Sequence, residues 1–267
     1  MTLKEELQQN ALLKLENGVF YQTDLAKQND FEQMYLSLRK KEDRLYTDEI
    51  VKSLPKIPAN HVLEREWLVR SISSEKLISY LKRSSSSCNK ILEVGCGNGW
   101  LANKMASELS ADVLALDVNE TELLQGARVF PSGLLSFVYG DVNRLNLKDI
   151  HFDCIVLGSC IQYFQDLEAL IRHLVSLLNP SGQIHIIDSP IYSSNEAVIA
   201  AKERSLAHFT SLGYPDMTHF YFYHTKRQIG IFNYKILKNP KSIASIIKRR
   251  VFKATYPVFP WIMIKAD

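Results

Sequence analysis

The sequence KILEVGCGNGW, which runs from Lys90 to Trp100, decides the fold. Its first five residues form a short, mostly apolar run typical of a buried strand, and three glycines follow at alternate positions. Glycine has no Cβ and adopts positive φ readily, so a strand that ends in Gly-x-Gly-x-Gly turns sharply and brings its main chain close to a ligand. The stretch therefore predicts a strand, a ligand-binding turn and a helix that begins at Trp100.

Two common nucleotide-binding turns do not fit this motif. A dinucleotide fingerprint has its third glycine at the position that Trp100 occupies here, where a small residue lets the helix pack closely beside the pyrophosphate. A phosphate-binding P-loop needs Gly-Lys-Ser or Gly-Lys-Thr after the turn, and neither follows. An ordinary tight turn remains the alternative, because turns often use glycine.

Short apolar segments alternate with longer helical ones after residue 90. The predicted strands are 90–94, 112–116, 135–139, 152–157, 183–187, 234–237 and 261–265, and the predicted helices between them are 100–109, 120–129 and 167–178. Alternation of this kind predicts an α/β fold, in which right-handed crossovers build a mostly parallel sheet with helices on both faces. Ligands of such sheets bind at the carboxyl ends of the strands.

The first 83 residues differ from the rest in the spacing of their apolar residues. From Thr2 to Leu81 the apolar residues recur at three- and four-residue intervals, which predicts helices throughout. A run of four serines, Ser84 to Ser87, then marks the boundary. We therefore expect an N-terminal helical extension, 1–83, followed by the main domain, 84–267, in one structural unit.

Composition restricts the class of protein. The 267 residues are 46% hydrophobic and can bury a full core, whereas the net charge of +3 is too small to indicate a nucleic-acid partner. The four cysteines form no C-x-x-C pair, so neither a disulfide framework nor a metal site is expected. The first six residues carry acids where a signal peptide would be basic, and no apolar run reaches membrane-spanning length, so we expect a cytoplasmic protein. The oligomeric state stays open.

Three acids lie at or just after the ends of predicted strands. Glu93 precedes the glycine turn, where its carboxylate is placed to hold a cationic ammonium group. Asp117 ends the second strand and offers acceptors for two ribose hydroxyls, and Asp141 is placed to accept from an adenine amino group. Taken singly, Asp117 is also consistent with a helix cap and Asp141 with an Asx turn.

The order of these motifs resembles that of the class I S-adenosylmethionine-dependent methyltransferases over roughly Lys90 to Tyr192. The segment Phe152 to Ser159 is similar to the family's fourth strand, and Leu178 to Gln183 to its turn before the fifth. The resemblance implies a Rossmann-like, seven-stranded sheet whose last strand, here Phe259 to Lys265, lies antiparallel beside the fifth. It also implies that the N-terminal extension forms a lid.

By this resemblance the cofactor is S-adenosyl-L-methionine, the product is S-adenosyl-L-homocysteine, and one set of residues surrounds them. The set is Glu93, Gly95, Cys96, Gly97, Asn98, Gly99, Trp100, Asp117, Val118, Asp141, Val142, Ser159 and Arg70. Arg70 is predicted to pair with the cofactor carboxylate through two parallel hydrogen bonds. A surface salt bridge is the alternative for Arg70.

The acceptor side is predicted from position alone. Gln162 and Tyr163 follow the fourth core strand, and Asp188 and Tyr192 follow the fifth, at the edge where ligands bind. Tyr163 is also a candidate catalytic residue, as are His219 and His224, although histidines among aromatic residues are more often packed or on the surface. His185, inside the fifth strand, is expected to face a helix or solvent.

Subfamily motifs narrow the acceptor chemistry. The residues Gly158 to Ile161 stand where enzymes that methylate exocyclic amines carry an Asn/Asp-Pro-Pro-aromatic run, so that chemistry is disfavoured. Cys160 lacks the preceding proline of enzymes that methylate cytosine C5, and a small buried thiol is the better interpretation. A methyl transfer to oxygen or nitrogen of a small or medium-sized metabolite is the expectation that remains.

Two alternatives depend on other features. The segment 241–253 has the period of a helix, with apolar residues on one face and basic residues at its far end. It is predicted either to pack against the sheet or to contact an anionic acceptor or membrane surface. Methylation of RNA or protein is therefore one alternative, and a non-catalytic S-adenosylmethionine-binding scaffold is another.

Overall fold

The computed structural model describes residues 2–23, 29–84, 88–147, 149–240, 242 and 257–266. The helices and strands follow in chain order: α1 Leu3–Gln9, β1 Leu13–Glu16, β2 Val19–Gln22, α2 Asn29–Lys41, α3 Asp48–Ser53, α4 Glu64–Arg83, β3 Lys90–Val94, α5 Trp100–Leu109, β4 Asp112–Asp117, α6 Glu120–Val129, β5 Leu135–Tyr139, β6 Phe152–Gly158, α7 Leu167–Ser176, β7 Leu178–Ile187, α8 Asn195–Leu212, α9 Lys226–Ile229, β8 Tyr234–Lys238 and β9 Trp261–Lys265. Short 3₁₀ turns lie at Ile161–Tyr163 and Pro215–Phe220.

One sheet organises the described residues, with the strand order β1-β2-β5-β4-β3-β6-β7-β9-β8. The six strands from β2 to β7 in this order run parallel, whereas β1, β9 and β8 are antiparallel to their neighbours. The mostly parallel α/β fold predicted from the alternating segments is confirmed. The chain leaves β3 toward β4 on one side and later reaches β6 on the other, so the carboxyl end of β3 is a topological switch point, where ligands bind.

The prediction that residues 2–81 are helical throughout was wrong over β1 and β2. These strands form a hairpin whose turn, Asn17-Gly18, has positive φ at both positions. Val19 and Phe20 are buried, and β2 pairs in parallel with β5, so the extension lengthens the sheet. The sheet consequently has nine strands rather than seven.

The C-terminal strand lies where the resemblance placed it. β9 pairs antiparallel with β7 and separates β7 from β8. His185 of β7 is fully buried and accepts a hydrogen bond from Trp261 Nε1 at 3.1 Å, with Tyr80 of α4 against its ring. His185 thus faces a helix, which is one of the two positions expected for it.

The segment 241–253 lies outside the described residues apart from Ser242, so its predicted helix and its predicted contact with a membrane or an acceptor stay predictions. Among the helices that the structure describes, none combines the length and the apolar character needed to cross a bilayer.

Candidate functional site

A cavity of about 570 Å³ opens at the carboxyl ends of β3, β4 and β6, at the switch point of the sheet. The glycine turn and the residues that follow β4, β5 and β6 form its floor, and residues of α2 and α4 form its roof. Its volume is in the range of sites that hold metabolites and cofactors. The lining contains every residue of the predicted cofactor set except Gly99, with Arg70 in the roof and the others in the floor.

The conformation of the glycine turn is fixed by its glycines and by the residues that pack around it. Gly95, Gly97 and Gly99 all have positive φ, which explains the glycine at each position. The amides of Gly95 and Cys96 donate to Leu116 O at 2.8 and 3.1 Å, which ties the turn to β4. A Cβ on Gly99 would lie only 2.4 Å from the Phe137 ring. The sequence motif thus reflects both backbone conformation and close packing.

Glu93 lies at the end of β3 with only 3% of its surface exposed. Burial raises the pKa of this carboxyl well above its usual range, and the nearby Asp117 raises it further. No described residue gives its Oε2 atom a hydrogen-bond partner. A buried polar atom in this state is costly unless a ligand pairs with it, so Glu93 is suited to hold a cationic group.

Asp117 at the end of β4 accepts from the amides of Gly97 and Asn119, at 2.7 and 2.9 Å. Each carboxylate oxygen keeps acceptor capacity for a ligand hydroxyl. The cap of α6 is Asn119, whose side chain accepts from the amide of Glu122. The alternative interpretation of Asp117 as that cap is therefore wrong.

Glu122 of α6 is a cavity residue that the sequence did not single out. Its carboxylate lies against Gly97 and accepts from Asn119 Nδ2 at 2.7 Å. It is deep in the molecule yet open to the cavity, and burial together with the charge of Asp117 raises its pKa to about 7. The only signal was its position on the turn-facing side of α6, which sequence alone does not distinguish from a solvated face.

The substitution Glu122→Gln is expected to stabilise the ligand-free protein in a pH-dependent manner. The folded protein retains this proton between pH 4.5 and about 7, where the unfolded chain has lost it, so the wild-type carboxyl lowers the free energy of unfolding as pH rises through that window. The variant should gain about 3 kcal/mol near pH 8 and less than about 1 kcal/mol near pH 5 in urea unfolding. An equal gain at both pH values would contradict the assignment.

The control for this measurement is Glu168→Gln on α7. Glu168 is exposed and pairs with Arg172 on the same helix. Exposed pairs of this kind contribute little, so the control should change the free energy of unfolding by less than about 0.5 kcal/mol at either pH.

Asp141 fits both of its interpretations. Its Oδ1 accepts from the amide of Asn143 at 2.9 Å, which is an Asx turn, and the residue also lines the cavity beside Val142. The carbonyl of Val142 lies 2.9 Å from His173 Nε2, which fixes this loop to α7. The turn therefore positions the side chain at the cavity.

Arg70 forms the salt bridge that was its alternative interpretation, and it also lines the cavity. Its guanidinium pairs with Glu66 one turn earlier in α4, at 2.9 Å, and it stacks 5.1 Å above the Trp67 ring. One of its nitrogens lies 3.5 Å from Ser159 Oγ, across the cavity from α4. The salt bridge thus holds the guanidinium over the site.

The structure brings only half of the predicted acceptor residues to the cavity. Tyr163 and Asp188 line it, and Ser73 Oγ donates to Asp188 at 2.7 Å. Gln162 lies outside the lining because its amide turns back to donate to Ser159 O at 2.7 Å. Tyr192 lies outside as well, since its segment bridges to Thr225 and its ring packs against Tyr223.

Neither histidine candidate reaches the cavity. His224 is buried 2.9 Å from Ile161 O, and burial lowers the pKa of its ring, so it packs as a neutral donor. His219 is exposed on a separate surface depression. Cys160 does line the cavity, but burial raises the pKa of its thiol well above the usual range, and it donates to Val94 O. It is a packed thiol and not a nucleophile.

The roof contains residues that the sequence did not point to. They are Phe31, Glu32, Tyr35, Arg39, Arg44, Tyr46 and Phe220. α2 is held over the cavity by a small core of its own, in which Leu38 packs with Phe209 of α8 and with Met217. The helical pattern of α2 was visible in the sequence, but the surface that it covers was not.

Comparison with known proteins agrees with this geometry. The sequence profile of a family described as a methyltransferase domain matches residues 92–186. Over 106 residues the chain is 29% identical to the ubiquinone/menaquinone biosynthesis C-methyltransferase UbiE of Pseudomonas putida, an alignment that covers 38% of this chain and 41% of that protein. An uncharacterized methyltransferase of Mycobacterium bovis is 25% identical over 97 residues, which are 36% of this chain and 49% of that protein. The chain therefore spans less than half the length of the curated relatives it matches.

Solved structures show the same fold at low identity. The plantazolicin methyltransferase BpumL, in complex with SAH, is 18% identical with a TM-score of 0.54, and the match covers 89% of this chain and 97% of that one. A putative methyltransferase from Bacillus halodurans is 15% identical with a TM-score of 0.51, covering 62% and 71%.

The fold and the site together define a Rossmann-like methyltransferase domain, with its glycine turn and acids at the switch point of the sheet. The matched family and the shared fold confirm the resemblance drawn from the sequence. Residues 92–186 thus match a methyltransferase domain, in agreement with the class I S-adenosylmethionine-dependent methyltransferases that the sequence resembles.

Proposed function

We propose that this protein transfers a methyl group from S-adenosyl-L-methionine to an oxygen or nitrogen atom of a small or medium-sized metabolite. The observation that carries the proposal is the buried carboxyl of Glu93, whose Oε2 atom has no partner among the described residues although it lies beside a cavity at the switch point. The ammonium group of the methyl donor supplies the missing donor.

The residues present fit the rest of this cofactor. Asp117 offers acceptors to the ribose hydroxyls, and Asp141 lies on the adenine side. Arg70 is placed to pair with the carboxylate of the amino-acid end, because Glu66 holds its guanidinium over Ser159. The homocysteine form named in the complex of the plantazolicin enzyme occupies the same fold. These four contacts cover both ends of the ligand.

The sulfonium of the bound cofactor supplies a methyl group already activated for attack by an acceptor lone pair. The chain's own residues then have to hold the acceptor in line and exclude water, which can provide much of the rate enhancement. Where the acceptor atom carries a proton, a base on the cavity wall has to remove it. Asp188 and Tyr163 are the predicted acceptor residues that line the cavity, so this role falls to one of them.

Calorimetry tests the cofactor assignment directly. Both S-adenosylmethionine and S-adenosylhomocysteine are expected to bind with micromolar dissociation constants, because both carry the ribose and the amino-acid end that the site contacts. If neither ligand bound at millimolar concentration, the proposed function would lose its basis. The RNA and protein alternatives depended on segment 241–253, and the described residues add no support to them.

A further inference from the structure

Four rings meet at the roof of the cavity: Phe31, Tyr35, Tyr163 and Phe220, which we call the aromatic corner. The centroid of Phe31 is 5.9 Å from that of Tyr163 and 5.4 Å from that of Phe220. Tyr35 and Tyr163 stand edge to face, 5.7 Å apart and 86° between their planes. Rings arranged in this way offer apolar faces and edges to a flat ligand.

A positive charge is built into the aromatic corner. The Arg39 guanidinium lies 4.6 Å from the centre of the Tyr35 ring and donates to the hydroxyl of Tyr163. A second nitrogen donates to Glu42 at 2.6 Å. A guanidinium has five N–H donors and stays charged at every physiological pH, so donors remain for a ligand.

The charges around Arg39 do not balance within their own network. Arg39, Arg44 and Arg70 alternate with Glu42 and Glu66, at nitrogen–oxygen distances of 2.6 to 3.2 Å. Three arginines and two glutamates leave one positive charge in excess, and all three arginines line the cavity. The cofactor carboxylate at Arg70 would balance this excess, so an acceptor anion would be held by the remaining N–H donors of Arg39 and not by surplus charge.

The same geometry disfavours a cationic acceptor. The guanidinium of Arg39 already covers the Tyr35 ring, so that face is not available to another cation. The planar guanidinium matches the planar carboxylate, with which it forms paired hydrogen bonds.

We propose that the acceptor is an aromatic carboxylate whose ring lies in the aromatic corner and whose carboxylate binds Arg39. The inference rests on the proposed function, since it assigns the substrate class of the same cavity. It also explains why α2 carries a half-buried arginine among aromatic side chains, where a leucine would pack without the cost of desolvating a charge.

Three matched probes test the substrate class by calorimetry on the protein saturated with S-adenosylhomocysteine. They are 2-naphthoate, its neutral isostere 2-naphthamide, and its saturated counterpart decalin-2-carboxylate. The naphthoate should bind about tenfold or more tightly than either, because it alone has both the ring and the charge. Equal affinity for naphthoate and naphthamide, or no naphthoate binding at millimolar concentration, would overturn the proposal.

Variants of the cavity residues test where the naphthoate probe binds. Arg39→Gln should remove the preference for naphthoate over naphthamide, whereas Arg172→Gln should keep it, because Arg172 is exposed on α7 outside the cavity.

A second variant tests the ring contact. Phe220→Leu should weaken the binding of naphthoate several-fold and leave the binding of decalin-2-carboxylate nearly unchanged. Phe220 is partly exposed and takes no part in the charge network, so this variant decides the matter if Arg39→Gln does not fold. An unchanged naphthoate preference in folded Arg39→Gln would exclude the assigned role.

Different results would contradict the cofactor assignment and the acceptor class. If S-adenosylhomocysteine does not bind, the cofactor assignment fails, and the naphthoate measurement is repeated on the free protein. If S-adenosylhomocysteine binds and the three probes show no preference, the methyl donor assignment stands and the acceptor class is wrong.

Discussion

Gly99→Ala is expected to lower the free energy of unfolding by about 3 kcal/mol and to abolish measurable binding of S-adenosylmethionine. Gly99 has a φ of 73°, where a Cβ costs about 1 to 2 kcal/mol. The added methyl would also lie 2.4 Å from Phe137 Cε1, an overlap that relieves itself only by shifting the turn, at a cost of about 1 to 3 kcal/mol. Urea unfolding measures the first effect and calorimetry the second.

Gly213→Ala separates the two causes. Gly213 ends α8 with a φ of 86°, and a Cβ there meets no atom within 4 Å. This variant therefore has the backbone strain without the overlap and should lose about 1 kcal/mol, with cofactor affinity unchanged. If Gly99→Ala were no more destabilising than Gly213→Ala, the close packing of the turn against Phe137 would not be a constraint.

Asp117→Ala is expected to weaken both S-adenosylmethionine and S-adenosylhomocysteine by about 3 kcal/mol, or roughly 150-fold. The carboxylate would lose two charge-assisted hydrogen bonds to the ribose, and both ligands carry that ribose. The loss should therefore be the same for the two ligands within error. Calorimetric titration of each ligand against the variant measures it.

The control for Asp117 lies on the same strand. Asp112 begins β4 at the end away from the cavity, where its carboxylate accepts from the amide of Leu3 at 3.2 Å. Asp112→Ala should leave the affinity for both ligands unchanged. A comparable loss in the two variants would mean that Asp117 acts through the stability of β4 and not through the ribose.

The cofactor side of this site was predictable because its residues lie next to strand ends in the sequence. Parallel strands bring their carboxyl ends to one edge of the sheet, so the turn at Gly95 to Gly99, Asp117 and Asp141 had to converge once the strands were recognised. Glu122 was not predicted as a cavity residue, because its position in the cavity depends on how α6 packs against the glycine turn. The sequence does contain the hairpin signal Asn17-Gly18. The apolar residues on either side have helical spacing, however, and this spacing favoured a helix over the hairpin.

The sequence by itself determined the class of fold, the glycine turn and the acids that face it, since local order of strand, turn and helix specifies all three. Only the tertiary structure decided what closes the cavity. α2 ends at Lys41 but roofs a cavity at the ends of strands that begin at Lys90 or later, and Leu38 holds it there in a small core of its own. The aromatic corner and Arg39 arise from that long-range packing, which no local pattern encodes, and they are the part of the site that selects the acceptor in our proposal.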